Sequence, residues 1–430
     1  MAREMKESNI EWVGEIPANW DVLANKYIMK KQKRICEKWQ GENVLSLTLN
    51  GVIVRDLVNP TGKMPATFDG YQFVYENELL MCLFDIDVTP RCIGRIKTDG
   101  VTSPAYSCFK LFDGYDSGYY YYYYLMVDYT KELLHLAKNL RHSFTEEQLG
   151  FLKVPVPPEK EQIRIAEYLD KKMDEINSLI DQTKSSIEEY KKLRQSLISN
   201  AVFGGITDEV YDECGLGWID GIPRGWDVQK IKQYFEFGKG LPITKDNLTE
   251  SGIDVISYGQ IHSKLNNGVS VKKELVRHVS EDYRKTNASS LVKKGDFIFA
   301  DTSEDLAGCG NAVLVDIDSE LFAGYHTIIL RTPNEKDSKY LAYLFLTDMW
   351  RSQIRSRVSG IKLFSVTQKI LRDLSIILPP PEKQEIITDY LDSKCNEIDT
   401  IISDKLQFIV ELEILKKSLV YEVVTGKREV

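Results

Sequence analysis

Lysine and arginine crowd two short stretches of this chain, Lys26-Tyr-Ile-Met-Lys-Lys-Gln-Lys-Arg34 and the set Arg351, Arg355, Arg357 and Lys362. Such clusters neutralise phosphate and supply the sequence-independent part of nucleic-acid binding. A solvated surface is the plainer use of any one of them. The chain carries a formal net charge of −9, and residues 301–320 hold only acidic charges. A nucleic-acid partner would therefore have to be met by local patches.

Other chemistries lack their residues. No GxxxxGK[ST] loop is present to cradle ATP. Asn59-Pro60-Thr61 lacks the second proline and the aromatic of the amino-methyltransferase motif. Phe237-Gly-Lys-Gly240 has the wrong spacing for a cofactor-binding glycine turn. The five histidines show no HxxxH or HExxH spacing, and the seven cysteines are never spaced CxxC. A metal site or a disulfide framework is therefore not expected, and the thiols read as reduced. Acidic pairs such as Glu304-Asp305 are not followed by a nuclease-like Glu-x-Lys strand. The run Tyr119–Tyr124 could stack on unpaired bases. Its counterpart Tyr340-Leu-Ala-Tyr-Leu-Phe is an apolar helix start, which favours core packing. No apolar run approaches the roughly 20 residues of a membrane span, and the start lacks the apolar region of a secretory signal. A cytoplasmic, non-catalytic chain with no cofactor or metal of its own is expected, and no membrane partner.

The elements that must carry these side chains come in pairs. Trp12-Val-Gly-Glu-Ile-Pro-Ala-Asn-Trp-Asp-Val22 recurs as Trp218-Ile-Asp-Gly-Ile-Pro-Arg-Gly-Trp-Asp-Val228, at an offset of 206. The stretch from Pro157 through Gly204 recurs from Pro379 through Gly426 at an offset of 222, so the second copy is 16 residues longer. Between these blocks, short β-like runs with Gly and Asp turns dominate both copies. Glu78-Leu-Leu-Met-Cys-Leu-Phe is patterned like Asp296-Phe-Ile-Phe-Ala, and Ser107-Cys-Phe-Lys-Leu like Thr327-Ile-Ile-Leu-Arg. A helical stretch then follows, from Tyr119 to about Leu140 and from Tyr340 to about Val358. After each Pro-Pro, helix formers run for about 45 residues without Gly or Pro. Heptad positions there give a seam of Leu169, Met173, Ile176, Ile180, Ile187, Tyr190 and Leu197 in the first copy. The second copy gives Leu391, Cys395, Ile398, Ile402, Ile409, Leu412 and Leu419. Thr183 and Arg194 interrupt the first seam where Lys405 and Lys416 interrupt the second, which suggests pairing in a defined register, and the globule between the two helices permits an antiparallel pair. About 40 helical residues span about 60 Å, against about 34 Å for a turn of DNA. A helical hairpin serving only oligomerisation is the plainer alternative.

Two variable strand-rich regions, each followed by Pro-Pro-x-x-x-Gln and a heptad helix, resemble the specificity subunit of Type I restriction-modification systems. The resemblance rests on Ile-Pro-x-x-Trp at 16–20 and 222–226, the Pro-Pro lead-ins from Pro157 and Pro379, and the Leu-Asp pairs at 169–170 and 391–392. Lys383 departs from it, standing where the first copy has Glu161. It implies an α+β fold: two pseudo-symmetric strand-rich target recognition domains (1–155 and 206–378) separated by two long spacer helices (156–205 and 379–430) forming an antiparallel coiled coil. It also implies that residues 1–22 complete the C-terminal half as 207–228 complete the first. By that resemblance each domain reads one half of a split, asymmetric site in double-stranded DNA. Two modification subunits would bring S-adenosylmethionine chemistry, and restriction subunits ATP and Mg. A methylation-only or Type II-like system, or a coiled-coil structural adaptor, are the alternative readings. Charge and loop-like placement nominate Lys30, Lys31, Lys33, Arg34, Arg91, Arg95 and Arg141 for DNA contact in the first domain. In the second they nominate Lys239, Lys245, Lys264, Arg351, Arg355, Arg357 and Lys362.

Overall fold

The structure is a computed structural model that describes residues 3–60, 62, 64–137, 143–205 and 210–430. It divides into two compact units, Met1–Lys184 with Lys405–Val430, and Ser185–Asp404. The two long helices, Glu159–Val202 and Pro381–Val424, each contribute to both units.

Each unit is built on one four-stranded antiparallel sheet and one five-stranded sheet. In the first unit the four strands lie in the order Ile93–Arg95, Leu79–Met81, Ser107–Leu111, Met29–Gln32. In the second the order is Ala312–Leu314, Phe297–Ala300, Thr327–Arg331, Glu236–Lys239. These are corresponding strands in the same order. Each five-stranded sheet holds a single parallel pair, Gly100–Thr102 on Val44–Thr48 and Leu321–Ala323 on Ile253–Ile256. The β-branched and aromatic content of these short runs suits pleated, half-buried surfaces.

The helical stretches of the two copies break where the sequence suggests continuity. The first runs Ser117–Thr130, then Glu132–Leu136, with Lys131 in the left-handed region between them (φ 56°). The second runs Glu335–Leu346, then Asp348–Arg355, because the Thr347 side chain caps a new helix by accepting from Trp350 N. The tyrosine run lies in the first of these helices and is core. Tyr119, Tyr120, Tyr122, Tyr123 and Tyr124 are buried, and their hydroxyls are spent internally, Tyr123 accepting from Trp12 and Tyr124 bonding Asn25. Only Tyr121 of the run is half-buried, so the run serves core packing.

The long helices start where proline allows it. Pro158 and Pro380 have no N–H to lose, and their carbonyls accept the first intrahelical bonds from Gln162 and Gln384. Those glutamines are buried and reach back to the carbonyls of Pro157 (2.8 Å) and Pro379 (3.0 Å). Each glutamine thereby ties the helix start to the preceding strand, Lys153–Val156 or Ser375–Leu378. Both helices end on a glycine with positive φ, Gly204 (88°) and Gly426 (71°), the left-handed stop that a Cβ disfavours.

Along the seam, Leu169, Met173, Ile176 and Ile180 are buried with Leu412 and Leu419 in the first unit, and Ile409 packs against them. In the second unit Leu391 and Cys395 join Ile198, Ala201 and Val202 in one cluster. Ile187 and Ile398 are also buried, whereas Tyr190, Leu197 and Ile402 are half-buried. In each unit the start of one helix therefore meets the end of the other, an antiparallel pairing. Each fully buried Leu or Ile contributes about 1.5–3 kcal/mol over the exposed state.

Candidate nucleic-acid interface

The proposed contact residues fall into two groups by what they already touch. Lys30, Lys33, Lys239, Lys245, Lys264 and Lys362 are exposed. Lys30 lies on the edge strand Met29–Gln32, opposite the exposed Lys110, and lines a pocket of about 390 Å³ with Lys26 and Lys31. Lys31 meets Glu146 at 3.2 Å. Lys239 ends the strand Glu236–Lys239, and Lys245 lies in the short helical turn that follows.

The arginines are more committed. Arg34 gives both terminal nitrogens to Glu78 (2.7 and 3.0 Å) and lies over Tyr75. Arg91 lies over Tyr129, 3.7 Å from Asp128. Arg95 donates to Asn77 Oδ1 (2.9 Å) and approaches Asp170 at 3.6 Å. Both line a cleft of about 480 Å³ with Lys97, Tyr121 and Lys416. Arg351 donates to Phe345 O and Asn311 Oδ1 (both 2.7 Å). Burial, with Arg355 adding repulsion, lowers its pKa to about 10. Arg355 pairs with Asp348 (2.9 Å), and Arg357 donates to Gln353 O (2.6 Å). Arg141 lies outside the described residues. The fold thus places Arg351 and Arg355 on one helix with Arg357 and Lys362 in the turn beyond it, and leaves Lys245 and Lys264 on separate segments.

Sequence reading missed Lys110 and the ties that hold the helices to the sheets. These ties recur at matching positions. Tyr119 OH donates to Val424 O and Tyr340 OH to Val202 O, each at 3.0 Å. Tyr122 OH donates to Asp170 (2.7 Å) and Tyr343 OH to Asp392 (2.5 Å). Those aspartates are the second residues of the repeated Leu-Asp pairs. Trp20 stands edge-on to Tyr119 and Trp226 to Tyr340, both at 6.2 Å, so the Ile-Pro-x-x-Trp motif anchors the sheet beneath a helix end. Two polar pairs repeat likewise: Arg194 to Asp399 (3.2 Å) in the second unit and Lys416 to Asn177 (2.9 Å) in the first.

Among the described residues no group of three or more His, Cys, Asp or Glu could hold a metal ion, and no helix is long and apolar enough to cross a membrane. The cysteines are unpaired.

A family model described as Type I restriction modification DNA specificity domain matches residues 86–189 and 223–409. A putative type I restriction enzyme MjaX specificity subunit from Methanocaldococcus jannaschii is 23% identical over 296 residues, covering 66% of this chain. The match spans 61% of that relative, less than two thirds of its length. Among solved structures, one on the complex assembly and conformational transition of the type I R-M system contains a chain that matches with a TM-score of 0.69 at 13% identity. It covers 96% of this chain and 99% of that one. The HsdS subunit from Thermoanaerobacter tengcongensis matches with a TM-score of 0.52 at 13% identity, covering 96% and 98%. Those two likenesses speak for the fold, and the family model, which matches well over half of the sequence, speaks for descent: the chain belongs to the Type I restriction modification DNA specificity family.

Proposed function

We propose that this chain is the DNA sequence-specificity subunit of a Type I restriction-modification enzyme, non-catalytic itself, which reads a split, asymmetric duplex site. Target recognition domains at 1–155 and 206–378 each read one half, and the spacer helices at 156–205 and 379–430 govern the gap. The observation that carries this reading is a duplicated frame with divergent loops. The tyrosine, glutamine, tryptophan and glycine ties recur at matching positions, whereas the loops between strands differ in sequence, and the second copy is 16 residues longer between the repeated blocks. A constant frame with free loops suits two different half-sites, since phosphate contacts position a protein and base edges specify the sequence.

The exposed lysines and the exposed Arg357 suit phosphate contact, and the other arginines, held by internal partners, suit shaping the loops. The second long helix also carries Leu406, Phe408, Val410, Ile414 and Leu415 exposed to solvent within the first unit. So many exposed apolar side chains on one helix favour a protein partner. We assign that partner as the modification subunit, two copies of which carry S-adenosylmethionine and methylate adenine. Restriction subunits using ATP and Mg complete the assembly.

The test is co-expression with the modification subunit encoded beside this chain, followed by mapping of methylated adenines in host DNA. A split motif that vanishes without this chain is the expected result. Methylation independent of it, or none with an active partner, overturns the reading.

A further inference from the structure

The segment from Met349 to Arg372 holds six cations (Arg351, Arg355, Arg357, Lys362, Lys369 and Arg372) and no Asp or Glu, in a chain of net charge −9. Inside it, residues 357–363 leave the helix ending at Arg355 and return as the strand Phe364–Ser365. Ile361, between Gly360 and Lys362, is 98% exposed and Leu363 is 59% exposed. An isoleucine held wholly in water contributes nothing to its own fold.

This turn is closely folded. A Cβ on Gly360 would lie 2.1 Å from the Leu363 carbonyl oxygen, so the main chain doubles back on itself there. Its stems are pinned as well. Arg355 Nη2 donates to Ala307 O (3.1 Å) and Arg357 Nη1 to Gln353 O (2.6 Å). On the other side Thr302–Ser303 pairs with Phe364–Ser365, and Val366 N donates to Asp301 O (2.8 Å). Asp301 in turn meets the exposed His326 (3.2 Å), whose backbone is left-handed (φ 55°). His326 stands edge-on to Tyr258 (5.3 Å) and Tyr325 (6.1 Å). A non-glycine residue held in that conformation is over-determined by its surroundings, as is common at working surfaces.

We propose that the Gly360–Leu363 turn is a DNA wedge: Ile361 enters the base stack at one step of the second unit's half-site, while Arg357 and Lys362 meet the flanking phosphates. The exposed cations of this run, Arg357, Lys362, Lys369 and Arg372, suit a polyanion. Among polyanions, a duplex accepts an aliphatic side chain, because partial unstacking of a base step opens an apolar slot. This rests on the specificity reading above and names the contact that the second unit would use.

The test uses the complex with the modification subunit and a duplex bearing the split site it methylates, with 2-aminopurine placed step by step through each half-site. Wild type is expected to raise fluorescence at one step of one half-site, apart from the methylated adenine. Ile361→Ala is expected to abolish that rise and weaken binding about tenfold, Ile361→Leu to keep both, and Lys362→Ala to lower the salt slope by about one. Because Ile361 is fully exposed, loss of fold does not account for such a change. Unchanged fluorescence and affinity in Ile361→Ala, beside intact split-motif methylation, overturn the wedge alone. So does an Ile361→Ala chain that no longer assembles with the modification subunit, which would make the turn a protein contact. Absence of split-motif methylation in wild type overturns the specificity reading and the wedge with it.

Discussion

Glu78 precedes the strand Leu79–Met81 and Asp296 the matching strand Phe297–Ala300, and each meets an arginine. Burial pushes both carboxyls up. At Glu78 the Arg34 guanidinium, the Tyr75 N–H and the Cys108 thiol outweigh it, and the pKa lies below the ordinary value. At Asp296 burial prevails over the N–H groups of Lys293 and Thr332 and over Arg331, and the pKa lies above it. The signs follow from linkage. Glu78 stabilises the fold above the ordinary carboxylate range, and that stability is lost as pH falls through its lowered folded value. Asp296 does the reverse, and the fold gains as pH falls through its raised value. Arg34→Ala strands a buried carboxylate, and should cost about 2–3 kcal/mol near neutral pH and less once Glu78 is protonated. Urea unfolding at the two pH values decides it; equal losses would mean that Arg34 does not act through Glu78. A second residue-scale expectation concerns Gly426, where a Cβ would meet Pro17 Cγ at 2.4 Å with φ at 71°. Gly426→Ala should cost at least about 1 kcal/mol, read as a lower thermal midpoint.

The helices were the most legible elements in the sequence, and their joints the least. Heptad spacing alone marks Leu169, Met173, Ile176 and Ile180, all buried. The Pro-Pro-x-x-x-Gln motif is visible as a repeat, but its use is not, because the glutamine reaches back to a carbonyl five residues earlier. Charge nominates Arg34 for DNA contact, but its tie to Glu78 is not legible because that partner is 44 residues away in sequence and is placed by sheet pairing. Ile361 carries no signal at all, since apolar periodicity does not say which isoleucine is left outside. The seam interruptions at Arg194 and Lys416 were legible as polar, and the structure supplies their partners, Asp399 and Asn177. A polar pair at a seam fixes register more than it stabilises. Replacing both Arg194 and Lys416 by Leu should therefore leave the melting temperature equal or raised, while methylation spreads over more than one spacer length. A single sharp spacer in that variant would deny the pairs a register role.

At the scale of the whole chain, both long helices contribute to both units, and the polar pair of one unit recurs in the other at the offset of the sequence repeat. Any change in the helices must respect the seam in both. Seven inserted residues make two turns of a coiled-coil helix and return the apolar stripe to the same face, whereas two residues would turn it toward water. A heptad inserted in both helices at matched positions should thus leave folding and both half-sites intact. It adds about 10 Å of helix at about 1.5 Å per residue, or about three base pairs at about 3.4 Å each. The methylated motif is then expected to keep its two halves and lengthen its gap by about three bases. The same heptad in one helix alone shifts the partners of Arg194 and Lys416 out of reach, and should abolish methylation. An unchanged gap in the doubly extended chain would show that the helices do not measure the spacer.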